Sequence, residues 1–284
     1  MIRALLRFVL GCLLLPGLWV TAHAQAVSFP ELNTAVPGHA DTTYLDLARM
    51  IVPDLKADGE GFYAGTTPIE MRHILGDDQG GSPPPTVSLP NAAVLTVNAG
   101  GKQRLAMLFD LGQAQDSAEG FAALALYDLD GKPRLLDAVD VATDQSTYFR
   151  EPAKLRIGPG DDAIITMSMH FNSNQNYVGT VLIVVRKDRF EPIDAIYTFD
   201  EKLCAYKRTQ DMTFEALAGD PSHAPLKVTV TDTAASSGES CDEAPPEPSS
   251  HEVSVTYRWD AARSRYAGDS DAFEKLAAEN AKRF

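Results

Sequence analysis

Residues 178–185 read Val-Gly-Thr-Val-Leu-Ile-Val-Val, an almost unbroken apolar and β-branched run. The run is too short to span a bilayer, and β-branching disfavours a helix. The charged tetrapeptide Arg186-Lys187-Asp188-Arg189 follows, and then a second apolar stretch over 190–199. This pattern predicts strand, tight turn, strand, with the first strand apolar on both faces and therefore central in a sheet.

Alternation with a period of two predicts strands on either side. Residues 93–97 and 104–111 flank Asn98-Ala99-Gly100-Gly101-Lys102, a hairpin turn. Residues 121–129 and 134–141 are joined by Asp130-Gly131-Lys132-Pro133. Over 163–171, Ile165, Met167, Met169 and Phe171 share one face, while Thr166, Ser168 and His170 take the other. Residues 227–231 and 252–259 alternate again, with Val253, Val255, Tyr257 and Trp259 aligned. Between them 233–250, rich in Ser, Pro, Glu and Ala, is expected to be an exposed excursion tethered at Cys241.

Two segments show spacings of three and four instead. Thr43 with Asp46 is a capping-box signature. Tyr44, Leu47, Ala48, Ile51, Val52 and Leu55 then form a helical stripe that Pro53 should end or kink near Val52. A second short helix fits 69–75, and 76–85 is a loop by composition. The stretch 269–284 is expected to be helical, capped by Asp271 with Glu274, with Phe273, Leu276, Ala277, Ala281 and Phe284 on one face.

The fold class expected is mainly β, with antiparallel blade-like or meander sheets (a partial propeller or a sandwich) and short N-terminal and C-terminal helices. The chain divides into an arm, helix and Pro/Gly loop over 25–85, a β domain over 86–267 and a helix over 268–284. Three segments, 126–137, 184–194 and 256–266, repeat one pattern of strand, Asp-containing turn, basic residue and strand, with turn aspartates Asp130, Asp188 and Asp260. Such spacing would suit propeller blades, although turn chemistry recurs in any meander. Asp128-Leu129-Asp130-Gly131 followed by Leu135-Leu136 resembles the FG-GAP or VCBS blade repeat, whose loops often hold calcium. The resemblance covers 126–137 alone, lacks the loop's further Asp-Gly and has Lys132 where an acid is wanted, so it names no family. Two aspartates offer too few oxygens for calcium, and no metal or other cofactor is expected.

The start of the chain changes the compartment. Met1-Ile2-Arg3-Ala4-Leu5-Leu6-Arg7 is basic, 8–20 is apolar, and Ala22-His23-Ala24 supplies small residues for signal peptidase. This predicts a secretory signal cleaved after Ala24 and a periplasmic or secreted product. Val9-Leu10-Gly11-Cys12 loosely matches a lipoprotein box, but cleavage there would cut the apolar segment too early, so lipidation at Cys12 is the lesser reading. No later run is long enough for a spanning helix, and no stable membrane insertion is expected. Removing 1–24 takes away two arginines and no acids, moving the formal charge from −14 to −16. A chain that acidic is repelled by nucleic acid and by anionic membranes. Its expected partners are a polar small ligand or a basic secreted protein. Cys204 and Cys241 remain after cleavage, and two cysteines in an exported chain are expected to form one disulfide.

Catalytic motifs are missing. There is no Gly-x-Ser-x-Gly, His-Glu-x-x-His, Cys-x-x-Cys or Rossmann glycine pattern, and Gly101-Lys102 lacks the rest of a phosphate loop. His39, His73, His170, His223 and His251 never fall at a local ligand spacing. One segment stands out, carrying His170, Asn172, Asn174, Gln175, Asn176 and Tyr177 at the mouth of the central strand. Amides that donate and accept, beside aromatic faces, suit a neutral polar ligand. A solvated hairpin loop has the same composition, because Asn tolerates left-handed backbone angles. Thr166 and Ser168 beside His170 read as the wet side of a sheet rather than a nucleophile with its base. The expected function is therefore a non-catalytic binding or accessory role exercised through β-hairpin loops. A cell-envelope hydrolase with an unrecognised site, or an inhibitor or immunity-type factor, is the alternative.

Overall fold

The computed structural model describes residues 26–283 apart from 60, 67, 77, 116, 240, 243, 245 and 246. The expected leader over 1–24, Cys12 and Phe284 lie outside these residues.

The lead-in supplies β1 (Ala35–Val36), β2 (His39–Thr43), α1 (Tyr44–Ala48), β3 (Lys56–Ala57), β4 (Tyr63–Gly65), β5 (Arg72–His73) and β6 (Val87–Leu89). The capping box is present: Thr43 N–H and hydroxyl reach Asp46 Oδ2 at 2.8 and 2.7 Å, and Asp46 N–H returns to Thr43 Oγ1 at 3.2 Å. The helix stops at Ala48, earlier than Pro53 requires. The Ile51 carbonyl, which a longer helix would give to Leu55, accepts Ile69 N–H at 2.8 Å instead. Ile51, Val52 and Leu55 are still buried, from a run of turns. No helix forms over 69–75. There β5 pairs in parallel with 139–140, and Arg72 makes a bidentate bond to Asp137 at 2.9 and 2.8 Å.

Four long strands follow: β7 (Ala93–Ala99), β8 (Lys102–Gln113), β9 (Gly120–Asp128) and β10 (Arg134–Asp140), giving a five-stranded sheet in the order β5-β10-β9-β8-β7. An eight-stranded antiparallel sheet runs in chain order. It contains β11 (Ser146–Gly158), β12 (Asp161–Asn172), β13 (Gln175–Arg186), β14 (Arg189–Lys202), β15 (Tyr206–Ala216), β16 (Leu226–Ser236), β17 (Ser249–Asp260) and β18 (Arg265–Gly268). Both sheets are open, and neither closes into a barrel. The three repeated turns mark the β9–β10, β13–β14 and β17–β18 hairpins, the last two within one continuous sheet.

Pairing between β14 and β15 consists of Glu201↔Arg208 and Lys202↔Lys207, so the eight-stranded sheet turns a corner there. The half beyond the corner packs back over the first half. As a result β13 is buried on both faces. Val181, Ile183 and Val185 join Leu95, Leu108 and Leu124 of the five-stranded sheet, whereas Leu182 and Val184 join Val228, Val255 and Tyr257 beyond the corner. Each such side chain contributes about 1.5–3 kcal/mol by leaving water. The outer face of the five-stranded sheet is covered by the lead-in through Leu47, Ile51, Leu55, Met107, Phe109 and Tyr127.

The end of the chain is α2 (Ala272–Asn280) with a 3₁₀ turn over Ala281–Arg283. Asp271 holds the N-cap position, but with φ −96° and ψ 25° its side chain makes no cap bond and pairs with Lys275 Nζ at 2.7 Å. The Ser/Pro excursion is shorter than its composition suggests, since Thr233↔Ser250 and Ala234↔Ser249 still pair, leaving 237–248. Cys204 and Cys241 form a disulfide that ties this segment to the corner. No helix is long and apolar enough to cross a membrane, among the described residues.

Candidate functional site

The β12–β13 hairpin sorts the expected residues by face. Its register pairs His170 with Tyr177 and Asn172 with Gln175, which places these four on one side and Phe171 with Asn176 on the other. Asn174 lies in the exposed turn, where its backbone N–H faces Asn172 Oδ1 at 3.5 Å. The six residues therefore do not form one surface. Asn176 points away, with its Nδ2 3.5 Å from Asp200 Oδ2 and its Oδ1 buried without a partner.

The four that share a face are organised. The His170 and Tyr177 rings stack at 4.4 Å with planes 9° apart, and Phe199 of β14 tilts against Tyr177 at 5.0 Å. Gln175 Oε1 accepts from Asn172 Nδ2 at 2.9 Å and from the Tyr177 hydroxyl at 3.0 Å. Part of the amide capacity is therefore spent within the hairpin. Burial pushes the Tyr177 phenol above its ordinary value; the Asn172 hydrogen bond opposes this, and the negative charges of Glu201 and Asp144 add to it.

Sequence reasoning missed Asp144, whose carboxylate oxygens lie 2.6 and 2.7 Å from His170 Nδ1. It reaches the hairpin from the segment between β10 and β11, and no local spacing announces it. The carboxylate fixes the ring so that Nδ1 carries the proton given to Asp144. Nε2 has no hydrogen-bond partner among the described residues. Behind the stacked rings lies a cavity of about 180 Å³ lined by Thr143, Asp144, Tyr177, Gly179, Tyr197 and Asn280, among others. Gly179 lets Thr143 approach this closely, since a Cβ there would collide with Thr143 Oγ1. That hydroxyl is buried and has no partner.

Comparison with models of protein families, with curated proteins and with solved structures finds no match.

Among the described residues, neither β12 hydroxyl on the His170 face is placed as a nucleophile for the His170–Asp144 pair. Ser168 is buried; its hydroxyl meets Thr147 Oγ1 at 2.9 Å and accepts Thr143 N–H at 3.0 Å. Thr166 is fully buried on the same face. Of the other histidines, His73 commits both ring nitrogens, Nε2 to the Ala142 carbonyl at 2.8 Å and Nδ1 to Leu75 N–H at 3.3 Å, which leaves no free base there. No group of three metal-binding side chains comes together among the described residues.

Proposed function

We propose that the protein is an exported, non-catalytic binding module that takes a small neutral polar ligand at the tip of the β12–β13 hairpin. The observation that carries this reading is the stacked His170–Tyr177 pair, held by Asp144 and rimmed by Asn172 and Gln175. An aromatic plate edged with groups that both donate and accept is suited to a face of a sugar or a polar side chain. The unpartnered Thr143 hydroxyl beside the cavity adds a group that a ligand or water would satisfy. Export rests on the basic, apolar and Ala22-His23-Ala24 pattern of the leader and on the Cys204–Cys241 bridge.

The test is a thermal-shift and calorimetric screen of neutral mono- and oligosaccharides and amide-bearing peptides, repeated on Asn172→Ala and His170→Ala. Asn172 is exposed at the tip, so its variant should keep the wild-type melting temperature and lose at least tenfold in affinity, about 1.4 kcal/mol. Unchanged affinity in both variants would remove the hairpin tip as the site.

A second reading, an envelope hydrolase, is favoured by one observation only: the carboxylate-oriented imidazole of His170 has the geometry of a general base. It would have to act on water, since Ser168 is engaged elsewhere. Turnover of ester, glycoside or peptide substrates that disappears in His170→Ala would replace the binding reading.

A further inference from the structure

A second concave site shares no lining residue with the hairpin cavity. A groove of about 750 Å³ opens between the lead-in at Val27 and Phe29, the end of β8 and the edge strand β11. That volume falls within the range of small-molecule sites, and most such sites are apolar with a few placed polar groups. Phe29 and Tyr148 stand at this groove 63% and 49% exposed, and exposed apolar surface gathered at one concave place marks a binding site more than scattered single residues do.

The charged groups of the lining are of one sign. Asp110 and Glu151 are present, and no Lys, Arg or His is. Asp110 is placed by a bulge. The β8–β9 register slips between Asp110 and Gln113, and Gly112 takes φ 89°, which only glycine adopts readily. The Gly112 N–H then reaches Asp110 Oδ1 at 3.1 Å, and Thr147 N–H of β11 reaches Oδ2 at 3.3 Å. No cation pairs with this half-buried carboxylate among the described residues, so its charge is compensated by two backbone dipoles alone. Burial holds it above its ordinary value despite those two bonds.

We infer that the groove is a binding site for an organic cation with a hydrocarbon body, an amine or quaternary ammonium whose charged head sits against Asp110 and the aromatic rings and whose chain lies along the apolar wall. A neutral apolar ligand would leave Asp110 without a counter-ion, and an anion would be repelled by both acids. Carboxylate and ring faces together form the usual environment for an ammonium group. The net charge of −14 favours cation approach from a distance.

The experiment is calorimetric titration of the full chain with octyltrimethylammonium, whose charge is fixed, and with n-octanol as its neutral counterpart. The ammonium should bind about tenfold or more tightly than the alcohol. Asp110→Asn should bring the two within about twofold of each other while the alcohol affinity stays as it was. Because that substitution also weakens one of two backbone hydrogen bonds, Phe29→Leu provides a second reading on an exposed side chain: it should weaken the ammonium several-fold and spare the alcohol. Equal affinity for both probes in the wild type would make the groove an indifferent apolar slot and overturn the assignment. Absence of binding by either probe, with sedimentation as a dimer abolished by Tyr148→Asp, would assign the face to a second copy and also overturn it.

Discussion

Arg104 and Asp128 form a buried ion pair, 2.6 Å between Nη1 and Oδ1, with 1% and 6% of their side chains exposed. The same guanidinium reaches Asp188 at 3.1 Å, in the β13–β14 turn of the other sheet. Asp128 accepts Asp130 N–H and is bonded by Arg134; these bonds first, and then the charges of Arg104 and Arg134, hold its carboxyl below the ordinary range. One cation therefore fastens the turn of the first repeated unit to that of the second.

Removing that cation should be costly. Arg104→Met removes the buried cation from Asp128, leaving it the exposed Arg134 alone, and should lose about 3 kcal/mol in urea denaturation. Asp188→Asn should lose less than about 1 kcal/mol, since its side chain is 46% exposed. Similar losses for both variants would show that the pair across the sheets, rather than the buried one, carries the stability.

Ile183 of β13 is fully buried against the five-stranded sheet. Ile183→Ala should cost about 2–5 kcal/mol at unchanged denaturant m-value. A cost under 1 kcal/mol would contradict the placement of this strand between two layers.

Asp140 gives a pH dependence. Burial raises its value above 3.8, Glu119 adds to this, and bonds from the Ala122 and Ala142 N–H groups and the nearness of His73 oppose it. Its Oδ2 is buried without a partner. An acid raised in the fold contributes fully below its unfolded value, and that contribution is lost as pH rises through the folded one. Asp110, Asp194 and Asp200 shift in the same direction, whereas Asp46 and Asp128 shift down and lose their contribution as pH falls. Asp140→Asn should therefore flatten the decline in melting temperature from acid to neutral pH and raise stability at neutral pH. An unchanged slope would count against this ionisation.

The Cys204–Cys241 bridge closes a segment with a sequence separation of 37. Replacing both by Ala should cost at most about 4 kcal/mol on chain-entropy grounds. The change is read from guanidinium melts, with reductant expected to destabilise the wild type and leave the variant unaffected.

The features legible in the sequence are those whose cause is local. The β13 run is apolar at every position that either layer needs, and Thr43 with Asp46 states its own cap. Strand β15 was invisible because it carries Gln210 at a buried position. There Gln210 accepts Phe199 N–H at 2.9 Å and exchanges bonds with Asn280 at 2.8 and 2.9 Å, partners that only the fold supplies. Strand β11 was hidden by Pro152, where its register shifts between Phe149 and Lys154. At the hairpin, the sequence showed the residue types but not Asp144, nor that Asn176 faces away. Alternation decides which side a residue takes; what it meets there depends on chain that returns from elsewhere.

The corner between β14 and β15 has a kinetic consequence. Two register pairs, at Glu201 and Lys202, are all that joins the halves of the long sheet along their ladder. The outer half should thus peel away as a cooperative unit before the rest melts, held at its base by the sulfur bridge and along its length by side-chain packing and the Ala224 N–H bond to the Ile157 carbonyl at 2.7 Å. Amide exchange would register this as two tiers of protection, the slower running through β12 and β13 and the faster through β16 and β17.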